Sequence, residues 1–497
     1  MILLLVSAII KLKIRRRLVP AGRVFAEGSI EMQGVSDQQR TVFEEMPVYR
    51  AVATLALPTV ISQIILVVYN VADTYFVGQR GDASMVAAVT LCMPAFMFLT
   101  AIANLFGVGG ASLISRALGA GEEKRACAAS AFAFWGCMAT VFLYSLATLL
   151  FGEGFSGLLG ADAQTLPYVR QYLFYVVTVG GLPAAMNSVL AHLVRSEGRA
   201  GEASFGMSLG GLLNIALDPL FIFFVFPRGQ EVTAVAVATL TSNLAAAVYF
   251  LLAMKKHRHM SLLSLRPSLR MLGDQVPREV VTVGLPACLM TFLENLSYVI
   301  LDNLMAAVGA AALAGIGIAK KLNMLAHSIV RGMSQGTMPL IGYNYASGDH
   351  HRMKHSILVT GVASTCFALA CTASALLFGR QMTGLFIHDP ETTRYGANFL
   401  HILSLGAPLS ACAYTFITFF EATGHKDRAL LLAVLRKGAL DIPLMYLLRL
   451  VIPVYGVVWA TPLADGAACV VSLVLFVRFM RTLNHHAAPE HALPAQG

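Results

Sequence analysis

Twelve apolar segments, each long enough to cross a bilayer, follow one another from Tyr49 onward in this 497-residue chain. They fall near residues 51–77, 85–110, 126–150, 168–191, 203–226 and 233–254, and then 279–304, 312–340, 355–378, 395–420, 429–450 and 454–478. A spanning helix needs about 20 apolar residues, and strands do not explain runs of this length. The expected fold class is therefore an all-α membrane protein with twelve transmembrane helices. Composition agrees, with 57% of residues hydrophobic and 13% charged. An ordinary soluble domain carries about 25% charged residues, and half that density cannot cover a soluble surface of this size. A cytosolic enzyme, a disordered chain and a secreted disulfide scaffold are excluded. The eight cysteines lie in or beside apolar runs without metal-site spacing and read as small buried hydrophobes.

Basic residues collect in alternate loops: Arg116, Lys124 and Arg125; Arg195 and Arg199; Lys255 to Arg278; Arg352 and Lys354; Lys426 and Arg428; Arg478 and Arg481. The opposite loops hold mainly Arg80, Arg170, Arg228, Arg380, Arg394 and Arg449. The side with the excess is cytoplasmic by the positive-inside rule, so both termini are expected inside and the protein is expected in the plasma (inner) membrane. The net charge of +9 is thus topology, not a nucleic-acid footprint. Residues 1–46 stand apart as an N-terminal extension. They either lie on the membrane surface or precede the true start at Met32 or Met46. The remaining expected units are a six-helix bundle at 47–254, a basic cytoplasmic linker at 255–277, a second six-helix bundle at 278–483 and a polar tail at 484–497.

The two halves repeat each other. Leu57-Pro58 opens the first span and Leu285-Pro286 the seventh. Asp73 has a near-counterpart in Asp302, the stretch Gly110–Gly121 in Gly336–Gly348, and Pro183–Gly198 in Pro408–Gly424. Asp218-Pro219 pairs with Asp441-Ile-Pro443. Six spans repeated in one orientation give parallel halves related by an axis along the membrane normal, the layout of a secondary transporter with a central cavity.

Four stretches carry a family resemblance. They are Leu57-Pro58 with Gln63, Asn70 and Val71-Ala-Asp73-Thr-Tyr-Phe-Val-Gly78; the Gly-rich run from Gly107 to Gly121; Asn214-Ile-Ala-Leu-Asp218-Pro219; and Gly336-Thr-Met-Pro339-Leu-Ile-Gly-Tyr-Asn344-Tyr. Taken in order on a twelve-span repeat, they make the chain resemble the multidrug and toxic compound extrusion (MATE) family over Tyr49–Leu483. The resemblance implies two six-helix bundles and efflux driven by a proton or sodium gradient. It also implies an ion site built from Asp73, Asn214, Asp218 and a threonine of the sixth span, with Thr239 the match and Thr241 the fallback. Glu294 matches a glutamate that many members carry in the second bundle.

The residues support the same chemistry. A carboxylate deep in a bilayer is expensive and faces a cavity or a partner. Asn214 and Asp218 share one helix face, and Pro219 frees a carbonyl that protein or water must satisfy. Two desolvated carboxylates cannot both stay bare, so Asp73 and Asp218 would share a proton or hold a cation between them. Sodium, a hard cation, takes oxygen ligands; the oxygens alone do not choose between the ions. The competing reading is a paired network that merely pins the first and fifth spans. Pro58 is a candidate hinge, and Asn70, Gln63 and Asp441 are candidate substrate or ion-pair residues. Of the acids that some relatives place in the tenth span, only Glu421 is present, near its cytoplasmic end.

Lys320, Lys321 and Arg331 in the eighth span, with Arg436 and Lys437 in the eleventh, are unexpected for a pump of organic cations. They neutralise Glu294, Asp441 or Glu421, or bind an anionic substrate group, or snorkel to the interface; pairing is the expectation for Lys320 and Lys321. The leading reading is export of cationic, drug-like compounds by antiport, from a monomer in the bilayer with no cofactor beyond the coupling ion. The alternative is a flippase or exporter for an anionic or lipid-linked substrate. No GxxxxGK[ST] occurs, so no Walker-type ATP site is expected. The spans hold no nucleophile–base pair that would make an enzyme. His350, His351 and His355 read as a solvated loop, and His192, His327 and His401 as packing residues.

Overall fold

The computed structural model describes residues 40–80, 83–257, 261–273, 275–387 and 389–486, and within these it is helical with no strand. A π-helical turn, Thr41–Glu45, precedes α1 (Val48–Arg80), α2 (Ala83–Gly119) and α3 (Glu123–Leu150). A short α4 (Gly152–Leu158) leads to α5 (Leu166–Leu173), the π-segment Phe174–Val179 and α6 (Gly181–Ser196). Then come α7 (Ala200–Leu220), a π-segment at Phe221–Val225 and α8 (Glu231–Lys256). After the linker follow α9 (Val276–Ala306), α10 (Ala310–Ala346), α11 (His350–Gly384) and α12 (Pro390–Ala422). The chain ends through α13 (Lys426–Val434), the π-segment Leu435–Asp441, α14 (Ile442–Val451) and α15 (Tyr455–His486).

Among the described residues nine helices are long and apolar enough to cross a membrane, and a tenth crossing is counted if α5 through α6, bent by 47°, acts as one span. The two expected spans outside this set are those with charge inside them. One is α10, with Lys320, Lys321 and Arg331; the other is α13–α14, broken by the π-segment that carries Arg436 and Lys437.

The repeated glycines terminate helices. Gly121, Gly198, Gly348 and Gly424 follow α2, α6, α10 and α12 with φ of 74°, 80°, 83° and 77°, a left-handed conformation that glycine adopts without a Cβ penalty. The proline landmarks sit by widened turns. A π-segment follows Asp218-Pro219, and another ends at Asp441 just before Pro443. Removing an N–H from the ladder favours such a local change of register.

Large apolar side chains such as Leu143, Leu150, Phe224 and Leu377 point outward, while serine, threonine and charged residues are buried. That arrangement suits a hydrocarbon surround. The two sequence halves meet at closely packed glycines. A Cβ on Gly284 would lie 1.7 Å from the Leu105 carbonyl oxygen, and one on Gly109 2.0 Å from that of Val280, which brings α2 and α9 backbone to backbone. Gly332 and Gly336 of α10 press on Val60 and Ala56, on either side of Pro58 in an uninterrupted α1. Ser112 Oγ donates to the Glu421 carbonyl (2.6 Å), and Arg125 meets Glu279 at 2.5 Å. Among the described residues, the hydrogen bonds, ion pairs and glycine approaches that join the halves run from the Gln63–Gln335 and Asn104–Thr291 contacts to the end with the basic loops.

Candidate functional site

The first-half site is organised by α7 and α8. Asp218 is fully buried, with Asn214 one turn before it and Thr239 facing both from α8. Asn214 Nδ2 donates to Thr239 Oγ1 at 3.2 Å and approaches Asp218 Oδ1 at 3.5 Å. The Asn214 side-chain carbonyl oxygen is buried and accepts no hydrogen bond among the described residues, and a buried acceptor left without a donor costs free energy. Thr241 is exposed and bonds back to the Val237 carbonyl, so Thr239 rather than the fallback belongs to the cluster. The polar line continues to residues that carried no sequence signal. Asn243 Nδ2 donates to the Thr239 carbonyl (2.9 Å), and Asn187 Nδ2 donates to Asn243 Oδ1 (3.2 Å).

The side chain of Asp73 lies outside the described residues; its backbone belongs to α1. Ala200 packs with Val48–Leu55, and Gly211 packs on Ile65 and Tyr69. The two helices, α1 and α7, therefore run in the same direction. Asn70 Nδ2 donates to the Leu66 carbonyl one turn earlier in α1, and Gln63 joins the halves by donating to Gln335 at 3.4 Å.

The second half holds its charges in pairs. Glu294 meets Arg331 at 2.5 Å, and Arg331 Nη2 also donates to the Tyr414 hydroxyl (2.9 Å). Asp441 accepts from Lys437 (3.1 Å), Ser297 (2.7 Å) and Thr461 (2.9 Å). Arg436 meets Asp465 at 2.6 Å, donates to Ser410 at 2.7 Å and lies 4.4 Å from the Tyr414 ring centroid. Ser410 in turn contacts His327. Lys320 pairs with Asp302 rather than with any of the acids expected for it. The expected pairing of Lys321 is corrected. It is exposed and makes no ion pair among the described residues, since successive helix residues point about 100° apart and it is turned away from the Asp302 that its neighbour meets. Glu421 is buried with Oε1 meeting no donor among the described residues, and no cation pairs with it there. Asp465 was not foreseen as a partner.

The arrangement offers buried oxygens for a small cation or proton in the first half and neutralised charge in the second. Comparison with known proteins says which family the chain belongs to. The MatE family model matches residues 58–220 and again 286–447, well over half of the chain and once in each repeat. The chain belongs to the MATE family. The multidrug export protein MepA of Staphylococcus aureus (strain NCTC 8325 / PS 47) is 29% identical over 447 residues, covering 90% of this chain and 97% of that protein. MepA of Staphylococcus saprophyticus is 29% identical over 450 residues with the same coverage. Among solved structures, a MATE protein in complex with MaL6 superposes with a TM-score of 0.82 at 22% identity, covering 90% of this chain and 99% of that one. The outward-facing conformation of a multidrug resistance MATE family transporter of the MOP superfamily gives 0.80 at 22% identity, covering 93% and 100%. These likenesses establish the MATE fold. The protein is a multi-pass membrane transporter of the multidrug efflux type and not an enzyme.

Proposed function

We propose that this MATE transporter exports organic, predominantly cationic compounds by antiport with protons or sodium through alternating access. On this reading α10 and α13–α14 also cross the membrane, which completes twelve spans in two six-helix bundles, 47–254 and 278–483, joined by the linker 255–277. The basic loops and both termini face the cytoplasm of a plasma membrane, and the transporter acts as a monomer. The observation that carries the reading is the buried oxygen cluster of Asp218, Asn214 and Thr239, with an Asn214 carbonyl that no described residue satisfies. Asp73 of α1 would supply the second carboxylate.

The coupling follows from charge. The coupling ion enters from the side opposite the basic loops and neutralises the cluster, so that α1 can be rearranged around Pro58 without burying bare carboxylates. The ion drives the cycle only through its different affinity for the two states. A bare proton or sodium suffices, and no organic cofactor is called on. The anionic-substrate alternative rested on free positive charge in α10 and the π-segment after α13; Arg331, Arg436, Lys437 and Lys320 are each committed to an acid, which leaves Lys321 as the one of these cations without an ion pair among the described residues.

The test is efflux of a fluorescent organic cation from proteoliposomes under an imposed proton or sodium gradient. Gradient-driven efflux names the ion. Absence of transport under either gradient overturns the reading and sends the search to anionic substrates.

A further inference from the structure

The π-helical turn before α1 is built into the contact between the two halves. Phe43 is fully buried. On the first-half side its ring sits against Gly198, where an added Cβ would be 3.1 Å from Cζ. On the second-half side it stacks on Tyr343 of α10 at 4.9 Å between centroids. The backbone of the turn is held by the second half as well. Arg352 of α11 donates from Nε to the Phe43 carbonyl (2.6 Å) and from Nη2 to the carbonyls of Met46 (2.6 Å) and Val42 (3.2 Å). Asn344 Nδ2 donates to the Phe43 carbonyl, and the Tyr343 hydroxyl donates to Glu44 Oε1 at 2.5 Å. One guanidinium thus satisfies three carbonyls of a turn that has too few residues to satisfy them itself.

We infer that residues Val42–Met46, held by Arg352 and Tyr343, form a latch that keeps the transporter closed at the end of the basic loops. The pocket of Phe43 is shared, with Gly198 from one half and Tyr343 from the other. The halves cannot part at this end with Phe43 in both places. The turn continues directly into α1, the helix that carries Pro58 and Asp73, so a movement of α1 pulls on the latch. Arg352 and Phe43 are therefore positioning residues for the transport cycle, acting on the closed state rather than on substrate or ion. This rests on the alternating-access reading for its role, though not for its test.

Hydrogen–deuterium exchange on the full-length protein in detergent or nanodiscs, without substrate or gradient, tests it. The peptides to follow are 51–60 of α1 and 332–345 of α10, which face each other across the contact. Phe43→Ala and Arg352→Gln should each raise exchange in both peptides about tenfold, while a peptide covering residues 397–407 stays at its wild-type rate. Unchanged exchange at 51–60 and 332–345 in both variants would overturn the latch. So would a rise across the whole chain in both, which marks loss of fold rather than release of one contact. If Phe43→Ala alone loosens everything, Arg352→Gln decides, since it keeps Phe43 in place. A protein with an open contact and no export would uphold the latch and count against the proposed function.

Discussion

Arg436 and Asp465 are joined at 2.6 Å although both are sealed from solvent, one in the π-segment after α13 and the other in α15. Such a pair holds together only as a pair. Arg436→Met strands a buried carboxylate and should cost about 3–5 kcal/mol, whereas Arg436→Met with Asp465→Leu should return to within about 1 kcal/mol of wild type. Thermal unfolding in detergent of the two variants checks both values. Equal losses in the single and double variants would contradict the expected rescue.

The first-half cluster makes a different demand. Asn214→Ala removes both the side-chain carbonyl that accepts no hydrogen bond among the described residues and the amide that bridges Asp218 and Thr239. Gradient-driven efflux should fall by a factor of about 10 or more, the scale of losing one good ligand or its support. Thr239→Val should lower it less, and Thr241→Val should leave it unchanged, because Thr241 is exposed and bonds only within its own helix. Initial efflux rates at matched protein levels make the comparison.

Backbone contact at Gly284 admits no side chain. A methyl group there would stand 1.7 Å from the Leu105 carbonyl oxygen, so Gly284→Ala must push α9 off α2, at a cost of about 1–3 kcal/mol. The melting temperature should drop. Gly317 of α10, with open space around its would-be Cβ, should tolerate the same change, and the pair of melts separates contact from composition.

His425 gives the fold an acid-side weakness. It lies between α12 and α13, its ring 4.6 Å from that of Phe479. Burial, with Arg428 and Arg116 nearby, pushes its pKa from 6.5 down to about 4. The unfolded chain therefore takes up the proton first as pH falls. The stability contributed by neutral His425 is present above 6.5 and is lost between 6.5 and about 4. Melts recorded from pH 7 to pH 4.5 should fall more steeply for wild type than for His425→Phe; parallel curves would contradict this.

The helical, multi-pass class and the internal repeat were legible because their signals are long. Apolar runs and glycines at left-handed helix ends declare themselves without a partner. The asparagines at 187 and 243 were not legible, since an amide in a span carries no charge cost to mark it. Asp465 was hidden for another reason. It is a lone carboxylate in a helix without a motif, and its partner stands on a separate element. The basic residues of α10 and of the π-segment after α13 pointed two ways in the sequence, toward substrate or toward internal acids. Only side-chain distances separate those readings, because Lys320 and Lys321 are neighbours in sequence and face different surroundings.

The most direct test of the account is gradient-driven efflux from proteoliposomes containing Asp218→Asn, set beside the charge-neutral double variant Glu294→Gln with Arg331→Gln. The account places coupling in the first half and structural pairing in the second. It predicts that Asp218→Asn abolishes the response to the gradient while the double variant, once folded, still responds. A gradient response kept in Asp218→Asn and lost in the double variant would contradict it.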